Sequence, residues 1–235
     1  MATIASNIQQ VRERIAAACA AAQRPVETVT LLNVSKTYGP EAVREAVAAG
    51  EHRFGENYVQ EGLDKIESLR DLRDRLEWHL IGPLQSNKTR GVAAQFDWVH
   101  SVDRLKIAQR LSDQRPAGLA PLQVCLQVNT SGESSKSGLL PAELPDVARA
   151  VAALPNLKLR GLMALPEQTD DPAEQRASHA ALRLLLEQLR ADGLPVDTLS
   201  MGMSADLEAA VLEGATMVRI GTAIFGARIP TLRSS

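Results

Sequence analysis

TVTLLNVSKTYGPEAVREAVAAGEHRFGEN, positions 28–57, holds one full repeat of the pattern that decides the fold. TVTLLNVS (28–35) is apolar and β-branched and reads as a buried strand ending at Lys36. Pro40 suits the first turn of a helix, where its missing N–H has no intrahelical acceptor, and Gly50 suits the stop. His52 then opens a second strand over 52–55. Strand, helix and strand at this spacing call for parallel strands joined by a right-handed crossover.

Outward from that unit the alternation continues. Further strands are expected at 78–81, 98–101, 122–128, 157–163, 198–201 and 217–220. Helices are expected over 58–70, from Ser86–Lys88 to Gln95, from a cap at Asp103 to Leu111, from Pro141, from Pro172 through Leu189, and over 206–213. A last apolar turn falls at 223–225. Ahead of the first strand, Ile4, Ile8, Val11 and Ile15 recur at helical spacing, which predicts a structural helix over 4–22 rather than a targeting segment. About eight strand–helix units in 235 residues favour a closed (β/α)8 TIM-type barrel with an extra N-terminal helix over an open doubly wound sheet. No Pro, Gly or Ser-rich linker divides the chain, so 1–235 is expected to be a single domain, with no C-terminal β-domain.

Composition narrows the function. Apolar residues make up 45% and charged residues 23%, enough for a core and too balanced for disorder. Lys and Arg number 26 against 28 Asp and Glu, and aromatics reach only 3%. No basic excess serves phosphates and few rings serve base stacking, so nucleic acid is not expected as a partner. No run of about 18 apolar residues predicts a membrane span. Cys19 and Cys125 stand apart from any metal-ligand spacing, so no metal is expected, and the pair suits a reducing, cytoplasmic setting.

In a (β/α)8 barrel the chemistry sits where the strands end. Lys36 closes the first strand, where burial and neighbouring charge free an amine to attack an aldehyde, although a strand-end lysine also snorkels for purely structural reasons. LSMGMS (199–204) and RIGTAIFG (219–226) follow the last two strands, and their Gly and hydroxyl residues lead into helical turns, an arrangement that binds phosphate. Arg219 donates hydrogen bonds but does not give up its proton, so beside a pyridine nitrogen it predicts a weak electron sink; its structural alternative is a salt bridge to Glu213 or another acid at the barrel rim.

Those residues carry a resemblance. VSKT (34–37), FGENYVQE (54–61), HLIGPLQSNK (79–88), GLMA (161–164), LSMGMS (199–204) and VRIGTAIFG (218–226) together resemble the pyridoxal phosphate homeostasis proteins, the YggS/PROSC group, built on the fold of the alanine racemase N-terminal domain. The resemblance spans the first strand to the last. It implies that Lys36 holds pyridoxal 5′-phosphate as an internal aldimine, and that Ser200, Gly202, Ser204, Gly221 and Thr222 surround the phosphate. It further implies that Arg219 faces the pyridine nitrogen, with Asn57 and Met163 near the ring. The implied role is to carry or buffer the cofactor without established catalysis, as a cytoplasmic monomer that serves apo-enzymes dependent on it. An amino-acid racemase of low activity is the alternative, and an aldolase acting on sugar phosphates through Lys36 a more distant one. Racemisation needs a second acid–base group, and the only tyrosines are Tyr38 and Tyr58.

Lys136, in the loop NTSGESSKSG, is a candidate second amine in a gating loop, against a plain solvated loop. The tail carries Arg233 and no lysine. The four histidines are expected to be structural, His79 pointing inward, His52 and His100 at strand ends and His179 on a helix surface.

Overall fold

Eight parallel strands close into a ring in chain order, each joined to the next by a helical connection. They are β1 (Thr30–Val34), β2 (Arg53–Glu56), β3 (Glu77–Leu80), β4 (Trp98–Val102), β5 (Leu122–Gln127), β6 (Leu157–Met163), β7 (Thr198–Ser200) and β8 (Met217–Ile220). Closure is made by β1 against β8, with Thr30 opposite Met217 and Asn33 opposite Ile220. The helices are α1 (Ile4–Ala21), α2 (Pro40–Ala48), α3 (Val59–Ser68), α4 (Thr89–Gln95), α5 (Leu105–Gln114), α6 (Leu144–Ala152), α7 (Pro172–Ala191), α8 (Leu207–Leu212) and α9 (Thr222–Phe225). This computed structural model describes residues 3–131, 137–167 and 169–226; Lys136 and Arg233 lie outside them. The expected (β/α)8 barrel with a leading helix is the fold.

The strands are legible because both their faces are covered, one by the barrel interior and one by the helices, so the longer ones read as mainly apolar, β-branched segments. Val124, Cys125 and Leu126 are all fully buried along β5. α1 buries Ile8, Val11, Ile15, Ala18 and Cys19 along one stripe, and a reciprocal Thr3–Ser6 capping box starts it. Both cysteines are free thiols in the interior.

Three local expectations are corrected. α5 begins at Leu105 with no side-chain cap, because both Asp103 oxygens are held by Arg104 at 2.8 and 3.0 Å. α6 begins at Leu144 rather than Pro141, since Glu143 turns back to accept the Leu140 N–H at 2.9 Å and holds 140–143 as a turn. His179 is buried rather than on a helix surface, and its Nε2 meets Asp206 at 3.0 Å. Among the described residues no helix is long and apolar enough to cross a membrane.

Candidate functional site

Where β1 and β8 end, a cavity of about 350 Å³ opens at the mouth of the barrel. That is near the lower end of the range for small-molecule sites. Five of the nine residues expected at the site line it: Lys36, Ser204, Arg219, Gly221 and Thr222. Tyr38, Val34, Met203 and Ala205 complete the wall. The other four are elsewhere. Met163 packs with Trp98 and Cys125 inside the barrel, and Ser200 is buried beneath Arg219. Gly202 backs the loop against α8, while the Asn57 backbone lies against Gly82.

Lys36 lies two residues beyond the end of β1. Beneath it the fully buried Glu56 accepts from the Ser35 hydroxyl and from Lys65 Nζ, both at 2.6 Å. Burial pushes the Glu56 carboxyl up, against the pull of Lys65. Lys65 Nζ also donates to the Ser35 carbonyl at 2.8 Å, which pins β1 to α3 one residue before Lys36. Thr37, one residue after it, holds φ at +69° and donates its N–H to Glu61.

Arg219 comes up from β8 and is 3% exposed. Its Nη1 donates to the Ser200 carbonyl at 2.5 Å and to Ser200 Oγ at 2.8 Å, and its Nη2 to the Ala164 carbonyl at 2.9 Å. Burial lowers its pKa to about 10, which still leaves it cationic at neutral pH. The rim salt bridge to Glu213 does not form, because Glu213 pairs with Arg176 and Arg183.

The opposite wall is the loop after β7. Asp206 Oδ1 accepts the Met203 N–H at 2.6 Å and its Oδ2 meets His179, so the loop is tied from inside. Gly202 sits at φ +91°, and a Cβ there would lie 2.5 Å from the Ala210 side chain. From outside, Arg14 of α1 donates to the Ser204 carbonyl at 2.9 Å. Gly221 and Thr222 open α9, where the Gly221 carbonyl takes the N–H groups of Ile224 and Phe225, both at 2.9 Å. A Cβ on Gly221 would lie 3.1 Å from the Val34 carbonyl oxygen, a contact that the end of β1 would have to relieve by a few tenths of an ångström.

A larger cleft of about 910 Å³ lies at the other end of the barrel, at the N-terminal ends of β3 to β6. Three of its cations are engaged: Arg73 with Asp97, Arg160 with Asp197, Arg115 with the carbonyls of Ala93 and Phe96. Among the described residues no cluster of His, Cys, Asp or Glu could hold a metal.

What the sequence reading missed lies inside. His79 and His100 are fully buried and bonded to one another, Nδ1 to Nε2 at 2.8 Å, and His100 Nδ1 meets Ser200 Oγ at 2.7 Å. A signal was present. Glu77 and His79 on β3, like Trp98 and His100 on β4, are two apart and share the inward face of a barrel strand.

A closed barrel with a strand-end lysine facing a buried arginine and a glycine-rich rim defines the class, and the sequence pattern of the alanine racemase N-terminal domain matches residues 2–229. A pyridoxal phosphate homeostasis protein from Pseudomonas aeruginosa is 64% identical over 228 residues, 97% of each chain. One from Escherichia coli K12 is 54% identical, covering 97% of this chain and 98% of the other. The chain belongs to the pyridoxal phosphate homeostasis protein family. Among solved structures, PipY of Synechococcus elongatus with PLP bound superposes with a TM-score of 0.84 at 39% identity, over 95% of this chain and all of that one.

Proposed function

We propose that this protein binds pyridoxal 5′-phosphate at the mouth cavity through Lys36 and holds it for delivery, without turning over a substrate. The convergence of Lys36, Arg219, Ser204, Gly221 and Thr222 on one cavity of about 350 Å³ carries this reading. The names of the relatives and the PLP bound to PipY support it.

The residues fit the group. The cofactor supplies an aldehyde that condenses with amines and a pyridine ring that withdraws electrons. Lys36 supplies the amine, whose nitrogen adds to the aldehyde carbon with loss of one water, and water reverses the link. Arg219 donates a hydrogen bond toward the ring nitrogen and keeps its own proton, so the ring stays a weak electron sink. Ser204, Gly221 and Thr222 offer hydroxyls and backbone N–H groups to the phosphate, and two cationic side chains in one cavity favour an anion. Asn57, Met163, Ser200 and Gly202 act from behind this wall.

Holding is favoured over racemisation by the state of Tyr38. Its hydroxyl donates to the Gly226 carbonyl at 2.6 Å and its ring packs on Phe225, so its proton is committed to the chain itself. The Tyr38 hydroxyl, which lines the cavity beside Lys36, is thus engaged by the backbone rather than poised as a second acid–base group. The protein works as a cytoplasmic monomer, and its partners are apo-enzymes that need the cofactor.

Addition of pyridoxal 5′-phosphate is expected to give a visible absorbance band that borohydride fixes onto Lys36. Lys36→Ala is expected to abolish the band and the fixed adduct. A full band in Lys36→Ala, or alanine racemisation by the loaded protein at an enzyme's rate, overturns the reading.

A further inference from the structure

A single file of hydrogen bonds crosses the interior of the barrel from the mouth to the base. Arg219 Nη1 meets Ser200 Oγ at 2.8 Å, Ser200 Oγ meets His100 Nδ1 at 2.7 Å, and His100 Nε2 meets His79 Nδ1 at 2.8 Å. His79 Nε2 then meets Glu77 Oε1 at 2.9 Å. The three middle residues are fully buried, whereas the Glu77 side chain is 38% exposed and lines the basal cleft.

The two ends set the direction of the bonds between them once both buried rings are neutral, the form that their burial favours. A guanidinium only donates and an ionised carboxylate only accepts. Ser200 therefore accepts from Arg219 and turns its own proton toward His100. His100 accepts at Nδ1 and donates from Nε2, and His79 does the same toward Glu77. Both imidazoles then carry their single proton on Nε2. A second proton on His79 would set its Nδ1–H against the His100 Nε2–H, and one on His100 would turn the Ser200 hydroxyl from donor to acceptor at that contact.

We propose that Glu77, His79, His100 and Ser200 are positioning residues, a one-way chain that locks Arg219 as a fixed hydrogen-bond donor to the ring of the bound cofactor. This rests on the reading that pyridoxal 5′-phosphate occupies the mouth cavity. Three of the five guanidinium N–H groups are held by Ser200 and Ala164, so the side chain cannot turn, and two remain for the cavity. Trp98 stacks on His79 with ring centroids 5.3 Å apart and a 13° tilt, and also packs against His100, which holds the file in line. The other charges that act on the chain are Arg53 and Asp97 at the base and Asp206 near Arg219. Burial lowers the pKa of both imidazoles, which favours the neutral forms that these bond directions require.

Two measurements test this separately from the carrier reading. Nitrogen NMR of the ligand-free protein at pH 7 to 8 is expected to find His79 and His100 neutral, each protonated on Nε2. The opposite tautomer or an imidazolium at either ring overturns the chain, whatever the cofactor does. The protein loaded with pyridoxal 5′-phosphate is then titrated by visible absorbance. His79→Leu breaks the chain two links from Arg219. It is expected to retain the borohydride-fixed adduct on Lys36 and to raise the midpoint of the band's pH transition by half a unit or more, because a loosened Arg219 withdraws less charge from the ring. Should His79→Leu bind the cofactor with an unmoved midpoint, the chain has no influence at the mouth and the inference fails while the carrier reading survives. Loss of the adduct in the wild-type protein sinks the carrier reading instead, and leaves the tautomers to decide the chain.

Discussion

Thr37 shows how one residue is made to serve the next. A β-branched side chain at φ +69° costs about 1–2 kcal/mol relative to ordinary backbone. The strain is held because Glu61 Oε1 takes the Thr37 N–H and also meets the buried Lys65 Nζ at 3.1 Å. Glu61→Ala removes that acceptor and one partner of Lys65, and is expected to lower stability by about 1–3 kcal/mol, read as a lower urea midpoint. Glu61→Gln keeps an oxygen for Thr37 and is expected to lose less; equal losses from the two variants would show that the Thr37 bond contributes nothing. At this scale the sequence was legible only in part. Lys36 and Arg219 declare themselves because each interrupts or closes an apolar run. The strain at Thr37 does not, since nothing in VSKTYG demands a positive φ and the reason for it stands 24 residues away on α3.

At the scale of elements, the mouth is a meeting of short segments braced by longer ones. The loop from β7 to α8 is tied by Asp206 to Met203 and His179, and is held from outside by Arg14, which also pairs with Glu208 at 2.8 Å. Burial alone would raise the Asp206 carboxyl, but the bonds from His179 and Met203 outweigh it and hold it below its ordinary range. A depressed carboxyl stabilises the fold above its unfolded pKa of 3.8 and loses that contribution only as pH falls through its lower folded value. At neutral pH the tie is therefore fully formed. Asp206→Ala is expected to weaken retention of pyridoxal 5′-phosphate about tenfold or more, as loss of a charged hydrogen bond implies. Equilibrium dialysis measures it, and unchanged affinity would mean that Ser204 needs no brace. The strands were legible as elements because parallel barrel strands are buried on both faces. Their helices were less so at their first turns. Asp103 is drawn off by Arg104 and Glu143 by the Leu140 N–H, and a choice between two nearby partners is invisible in the order of residues.

For the whole molecule, closure of the barrel creates what no segment contains. His79 and His100 are 21 residues apart, and His100 and Ser200 a hundred apart, and they meet only because β3, β4 and β7 all face the same interior. A barrel with two neutral imidazoles at its centre carries a global sensitivity to acid. Burial lowers the pKa of His79, and lowers that of His100 well below the ordinary 6.5, while unfolding returns both to it. Below pH 6.5 the unfolded chain thus binds protons that the folded one refuses, so stability is complete above that value and falls as pH drops. Each proton contributes a slope of up to about 1.4 kcal/mol per pH unit, and the pair up to about 2.8. Glu77 does not blunt this slope. Burial opposes its charge, but the His79 N–H and the nearby Arg53 hold its carboxyl down at about 2, so the carboxylate end of the file survives throughout the window. Urea midpoints are therefore expected to be level from pH 8 to 7 and to fall steadily from 6.5 to 5. His79→Leu, with one buried imidazole fewer, is expected to fall about half as steeply. A wild-type midpoint that stays constant down to pH 5 would mean that the interior accepts those protons without cost, and that the two rings are not held neutral by the fold.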